Sequence, residues 1–181
     1  MVRMLPGIET VVQHQERQRD EPDTCRPERC PGCGKGGVHR HGHYARNAPR
    51  GEGKAFSLGS LPIPRIFCRH CRRTCSRLPS CLSPRRQYWW KRQQEVLERL
   101  LAGESICAVA TTVAVGPSRH TIARWRQWLE AQSDVYGLYL RSRFADLGRT
   151  VDWRAFWSRT FDSMSLGEAM GWLDRMGVVV P

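Results

Sequence analysis

Two cysteine pairs, Cys30-Pro31-Gly32-Cys33 and Cys68-Arg69-His70-Cys71, have the residue types and spacing to bind a metal. Two residues between paired thiolates let both sulfurs reach one ion from a single tight turn, and two such turns complete the four-sulfur tetrahedron that zinc prefers. Cys30, Cys33, Cys68 and Cys71 are therefore expected to hold one Zn2+ per chain. Gly32 and Gly34 are expected to supply the backbone freedom of the knuckle, because turning amides toward the sulfurs brings conformations that a β-carbon penalises. The competing reading is a disulfide framework, since the chain has 8 cysteines and small secreted domains use cysteine densely. The amino-terminal segment holds only short apolar runs, Met4-Leu5-Pro6 and Val11-Val12, and reads as neither signal peptide nor membrane span. A reducing cytoplasm is the expected setting, where paired thiols hold metal more often than each other.

The formal net charge is +12, and it is concentrated in the middle of the chain. The stretches up to Arg29 and beyond Ser133 each come out near neutral. Between Gly53 and Gln94 there is no acidic residue, whereas Lys54, Arg65, Arg69, Arg72, Arg73, Arg77, Arg85, Arg86, Lys91 and Arg92 are cationic. A run of one sign repels itself and raises the free energy of the compact state unless a polyanion neutralises it. Arginine dominates lysine here, and its planar fork grips phosphate bidentately or reads guanine edges. Double-stranded DNA is the expected partner, with Arg69, Arg72, Arg73, Arg77, Arg85 and Arg86 among the candidate contacts. An anionic membrane fits the charge but not the pattern, because no amphipathic helix pairs a basic face with a broad apolar one in this run.

The elements that must position these residues divide the chain into four parts. Residues 1–24, rich in Gln, Glu, Arg and Asp and broken by Pro6 and Pro22, read as a poorly ordered lead-in. Residues 25–83 read as a zinc ribbon with candidate strands at Gly37–Tyr44, after the first knuckle, and Leu61–Phe67, leading into the second. Ala45 to Ser60 between them reads as a mobile loop carrying Arg46, Arg50 and Lys54. Residues 84–132 read as a helix-turn-helix. A first helix buries Trp89, Gln93, Val96, Leu97, Leu100 and Leu101 and ends at Gly103; a short one covers Ser105–Ala110; a third runs Ser118–Leu129, capped by Ser118. Residues 133–181 read as helical support, with patterns near 135–147, 153–161 and 166–176 and a capping box from Ser165 to Glu168. The aromatic residues Trp153, Phe156, Trp157, Phe161 and Trp172 are expected in its core, and its helices are candidates for a homo-oligomer surface. The fold class is thus small α+β: an N-terminal ribbon of short strands, then an all-α helix-turn-helix and C-terminal helices.

In a helix-turn-helix the second helix of the pair presents its first turns to base edges. Ser118, Arg119, His120, Thr121 and Arg124 occupy those turns; Arg119 could fork onto guanine, while Ser118, Thr121, Arg124 and Arg126 could hold phosphates. The plainer reading is a helical hairpin with exposed arginines. The spacing from Ala110 to Ile122 is about two residues longer than a compact helix-turn-helix turn allows, so the turn must bulge or a helix must run on.

Cys-Pro-Gly-Cys-Gly at Cys30, Arg40-His41-Gly42-His43-Tyr44-Ala45-Arg46, Cys68-Arg69-His70-Cys71-Arg72-Arg73-Thr74 and Leu78-Pro79 together resemble bacterial transposase-related proteins that join an amino-terminal zinc ribbon to a helix-turn-helix. The likeness spans roughly Cys30 to Leu129 and implies the architecture rather than one protein. It also implies a mobile-element setting, in which the chain would recognise an element's end, or assist or regulate a separate transposase or other mobile-element protein. Where the resemblance implies phenylalanine after Arg73-Thr74, this chain has Cys75. Cys25, Cys75 and Cys81 could be drawn into a second metal site with a histidine from His39, His41, His43 or His70. The simpler expectation makes Cys75 and Cys107 small buried hydrophobes.

Transposition chemistry needs a set of carboxylates holding a pair of magnesium ions on a sheet-based fold. Here Asp134, Asp146, Asp152, Asp162, Glu168 and Asp174 fall among helical patterns, where they read as caps or solvated charges. A non-catalytic, nucleoid-associated DNA-binding protein is the expectation. The alternatives are a ribbon that docks on a partner protein or RNA, and the DNA-binding part of a truncated transposase.

Overall fold

The computed structural model describes residues 1–47, 60–84, 87–112 and 116–181. Its described elements are β1 (Val2–Leu5), α1 (Val11–Asp20), a 3-10 turn (Pro22–Cys25), β2 (Val38–Asn47), β3 (Ser60–Cys68) and β4 (Thr74–Pro79), then α2 (Trp90–Leu101), α3 (Ile106–Thr112), α4 (Arg119–Arg143), a second 3-10 turn (Ala145–Leu147), α5 (Trp153–Ser163) and α6 (Leu166–Arg175). The protein is a small α+β chain, mostly helical, with one four-stranded sheet among the described residues. It divides into two compact units, Met1–Gln87 with Pro181, and Tyr88–Val180.

In the first unit the sheet order is β1-β4-β3-β2, with β1 parallel to β4 and the other pairs antiparallel. β3 carries Pro62 and Pro64, which have no N–H to give a ladder. Its pairing with β4 is confined to Arg65, Ile66 and Phe67, so both prolines lie in the stretch that pairs with β2 alone. β2 contains a register shift between Arg40 and His43, opposite Ile66 and Pro64, with Gly42 at φ 69. One extra residue on β2 makes this a β-bulge.

Residues 1–24 are not a disordered lead-in. β1 lies along β4, burying Met4 and Leu5, and α1 buries Val11 and His14. Thr10 and Gln13 cap α1 reciprocally: the Gln13 N–H donates to Thr10 Oγ1 (3.1 Å) and the Thr10 N–H to Gln13 Oε1 (3.1 Å). That T-x-x-Q box is the sequence signal that could have found α1, whose polar surface hides any apolar stripe. Arg46 also departs from expectation. It belongs to β2, where its guanidinium donates to the Ser83 carbonyl at 2.6 Å, and burial holds its pKa below the usual value. Most of the expected loop, residues 48–59, lies outside the described residues.

In the second unit α2 packs against α4, α5 and α6, and α3 against α2 and α4. The face of α2 buries Trp90, Gln93, Val96, Leu97 and Leu100; Trp89 and Leu101 are only partly covered. α4 runs unbroken through residue 133, where the sequence suggested a boundary. Nothing from Glu130 to Asp134 breaks a helix, and Ser133 turns its hydroxyl onto the Leu129 carbonyl (2.6 Å), one turn back, instead of capping a new helix. The Trp157 indole N–H then donates to Ser133 Oγ (3.0 Å). Tyr136, Phe156 and Trp157 fill this core with ring centroids 6.3 and 5.2 Å apart at steep interplanar angles. Trp153, Phe161 and Trp172 are only partly buried, so the aromatic core is narrower than composition suggests. Asp152 caps α5 and Glu168 completes the capping box of α6, whereas Asp174 is buried.

Candidate metal centre

The four sulfurs of Cys30, Cys33, Cys68 and Cys71 converge, all lying within 4.8 Å of one another. The first pair sits in the turn before β2, and the second closes the hairpin between β3 and β4. Antiparallel pairing sets Val38 opposite Cys68, which brings the two turns to the same end of the sheet.

The knuckles are built alike. The Cys30 N–H donates to the Lys35 carbonyl (2.8 Å), and at the same offset the Cys68 N–H donates to the Arg73 carbonyl (3.1 Å). The residue after each second cysteine takes the left-handed conformation: Gly34 at φ 70 and Arg72 at φ 55. Glycine adopts that region freely, while arginine there carries a steric cost of about 1–2 kcal/mol. Gly32 does not have a positive φ, against the expectation from sequence; an added β-carbon there would meet the Met1 Cε at 3.2 Å.

Cys30 and Cys71 sulfurs are 3.7 Å apart, as are those of Cys33 and Cys68. A disulfide would need about 2.05 Å. A tetrahedron with zinc–sulfur bonds of about 2.3 Å has edges of about 3.8 Å, so the spacing fits four thiolates around one ion. The Gly32 N–H points at the Cys30 sulfur (3.3 Å), the type of outer contact that stabilises a thiolate ligand. The group could hold a metal ion, and all-sulfur tetrahedral coordination suits zinc.

The thiols differ in readiness to ionise. Backbone N–H groups, that of Cys71 first and that of His70 after it, pull the Cys68 thiol down to about 7. Cys71 is pushed up to about 11: the Arg73 N–H favours its thiolate, but desolvation and hydrogen bonds to Cys30, Cys68 and Cys33 outweigh it. A metal cation would remove that competition by compensating the negative charge.

Of the remaining cysteines, Cys75 is buried and packs with Val38, Ile66, Cys30 and Cys68 beside the centre. Cys25 is buried with Leu5 and Ile8. Among the described residues neither joins a metal-ligating group, and the convergent cluster contains only the four knuckle cysteines. Cys107 is exposed, against the expectation of a buried hydrophobe, because α3 turns only Val109 fully inward.

The candidate DNA contacts fall in two sets. In the first unit Arg69, Arg72 and Arg73 are exposed on and just after the second knuckle, while Arg77 is partly buried on β4. Arg85 and Arg86 lie outside the described residues. In the second unit Ser118, Arg119, His120 and Arg124 are exposed at the start of α4, with Thr121 and Arg126 partly covered; Ile122, Trp125 and Leu129 form the buried face. Ser118 Oγ accepts from the Thr121 N–H (3.3 Å) as the helix cap, which commits it locally. The Arg119 guanidinium lies 3.6 Å from the Cys107 sulfur. Among the described residues no helix is long and apolar enough to cross a membrane.

Fold and site together define a small α+β protein with a four-cysteine centre competent for metal. Residues 30–125, more than half of the chain and including both knuckles, match the family described as "Domain of unknown function (DUF6431)", and the chain belongs to that family. Comparison with curated proteins gives no match, and comparison with solved structures gives none.

Proposed function

We propose that the protein is a non-catalytic, zinc-dependent binder of double-stranded DNA. The observation that carries this reading is the convergent four-sulfur centre with Arg69, Arg72 and Arg73 exposed on and beside its second knuckle. Zinc held by Cys30, Cys33, Cys68 and Cys71 would act as a structural crosslink of a zinc ribbon, with all four positions taken by protein and no open site for catalysis. The knuckle arginines would then hold phosphates from a fixed backbone, at lower entropic cost than arginines on a free loop.

On this reading α3 and α4 form a helix-turn-helix, and Arg119, His120 and Arg124 read bases from the first turns of α4. Support comes from their exposure on a helix whose opposite face is buried. The mobile-element setting, with a separate transposase as partner and a place on the nucleoid, rests on the sequence resemblance. The exposed Val135 and Leu138 of α4 are compatible with a homo-oligomer surface.

Fluorescence anisotropy with duplexes selected from a random pool tests the proposal. Affinity is expected to fall steeply with salt, log K changing by about 0.9 per phosphate contact for each unit of log salt. Arg119→Ala combined with Arg124→Ala is expected to abolish the preference for the selected sequence. Absence of duplex binding, or tighter binding of single strands, would overturn the reading.

A further inference from the structure

A second cationic feature of the first unit lies apart from the knuckles. A cleft of about 130 Å³ is lined by Gln18, Cys25, Arg26, Arg40, His43 and Arg65, with prolines and Ile66 completing its wall. One water needs only about 10–15 Å³ of such space, so the cleft has room for a tetrahedral oxyanion. Among the described residues no carboxylate lines it. The β2 bulge gives the cleft its shape: the extra residue between Arg40 and His43, with Gly42 at φ 69, brings both cationic-capable side chains to the lining. Bulges re-aim side chains in this way and concentrate beside functional sites.

The charge in the cleft is weakly compensated. Arg26 faces Asp23 at 3.9 Å in an exposed pair, a contact worth little in water. Among the described residues Arg65 gives one N–H to Thr74 Oγ1 at 3.4 Å, leaving most of its five donors. Burial pushes the Cys25 thiol up, so that side chain adds no negative charge. Three guanidinium groups around a small concavity match the fork geometry that phosphate oxygens accept.

We infer that this cleft binds a phosphate dianion, free or as a monoester, through Arg26, Arg40 and Arg65. Two sources share that chemistry, a free phosphate or small phosphate ester and the terminal phosphate of a nucleic-acid strand. The inference goes beyond the duplex reading and stands if that reading fails, because Arg26 and Arg40 are not among its contacts.

Calorimetric titration of the zinc-loaded full chain tests it, first with inorganic phosphate, then with an end-phosphorylated oligonucleotide against its unphosphorylated counterpart. Arg40→Gln and Arg26→Gln alter exposed side chains; Arg69→Gln, on the knuckle, is the control. Saturable phosphate binding that weakens about tenfold or more in Arg40→Gln and Arg26→Gln, but not in Arg69→Gln, supports the site and a small-molecule source. A terminal-phosphate preference of the oligonucleotide that Arg40→Gln erases supports the site and a strand end. Absence of saturable binding of either probe, or equal weakening by Arg69→Gln, overturns it.

Discussion

The two units solve the problem of a small core differently. The helical unit buries large aromatics, with Tyr136 and Phe156 each against the Trp157 ring and the indole N–H satisfied by Ser133. At the knuckle end of the sheet, the buried cluster is Cys30, Val38, Ile66, Cys68 and Cys75, so three of its five members are cysteines and two of those are candidate ligands. Such small side chains contribute little hydrophobic free energy at this end of the sheet, away from the larger apolar residues Leu61, Ile63, Leu78 and Leu82 that the unit also buries, so a metal crosslink would add most here. Where the core is apolar, stability is spread over many contacts; where it is sulfur, stability would be concentrated on an ion held by the four cysteines.

The largest expected effect follows from that concentration. Stripping metal with a chelator should unravel the knuckle end of the sheet while the helical far-UV signal persists, because metal supplies on the order of 10 kcal/mol of folding free energy in small thiolate sites. Amide hydrogen exchange on Val38, Ile66 and Phe67, before and after chelation, reads the outcome. Unchanged protection would show that the strands hold without an ion.

Next in size is the reverse experiment. Trp157→Ala should destabilise the helical unit by about 3–5 kcal/mol in urea titrations, through the cavity and the lost indole hydrogen bond, with little change in metal content. Loss of metal in that variant would erase the contrast between the units.

A smaller effect comes from His14, buried on α1 with its Nε2 3.4 Å from the Pro62 carbonyl oxygen and 2.9 Å from the Gln18 amide nitrogen. Burial lowers its pKa, against the raising influence of the Pro62 carbonyl, and its Nδ1 has no partner among the described residues. The unfolded chain therefore takes up a proton near pH 6.5 that the folded one resists. Stability of the first unit should be intact above that pH and decline as pH falls below it, through the lowered native value. His14→Gln, compared across the same pH range, should flatten the decline.

The smallest effect compares the knuckles themselves. Gly34→Ala should cost about 1 kcal/mol, because alanine would enter the left-handed region. Arg72→Gly should be neutral or stabilising by less than about 1 kcal/mol, relief of strain being offset by the freer unfolded chain. Thermal unfolding of the two metal-loaded variants measures the difference.

Legibility in the sequence followed the same contrast. The knuckles were readable because metal geometry demands fixed spacing, and the helices because apolar periodicity and caps at Ser118 and Ser165 are local signals. β1 and β4 were not, since both are short and β1 pairs with β4 across more than 70 residues, as in Val2 with Ser76. α1 is hidden because its buried face is only Val11 and His14, and Cys107 departs from expectation because a seven-residue helix has too few positions to define a face. The bulge that shapes the arginine-lined cleft depends on β2 and β3 in register, which no single stretch of sequence records.

Native mass spectrometry of the protein, with Cys33→Ser beside it, tests the central claim most directly. One zinc per chain, with all thiols alkylated after chelation and a sharp loss of metal in Cys33→Ser, is the expected result. A chain without metal whose knuckle cysteines are joined as disulfides would contradict the account.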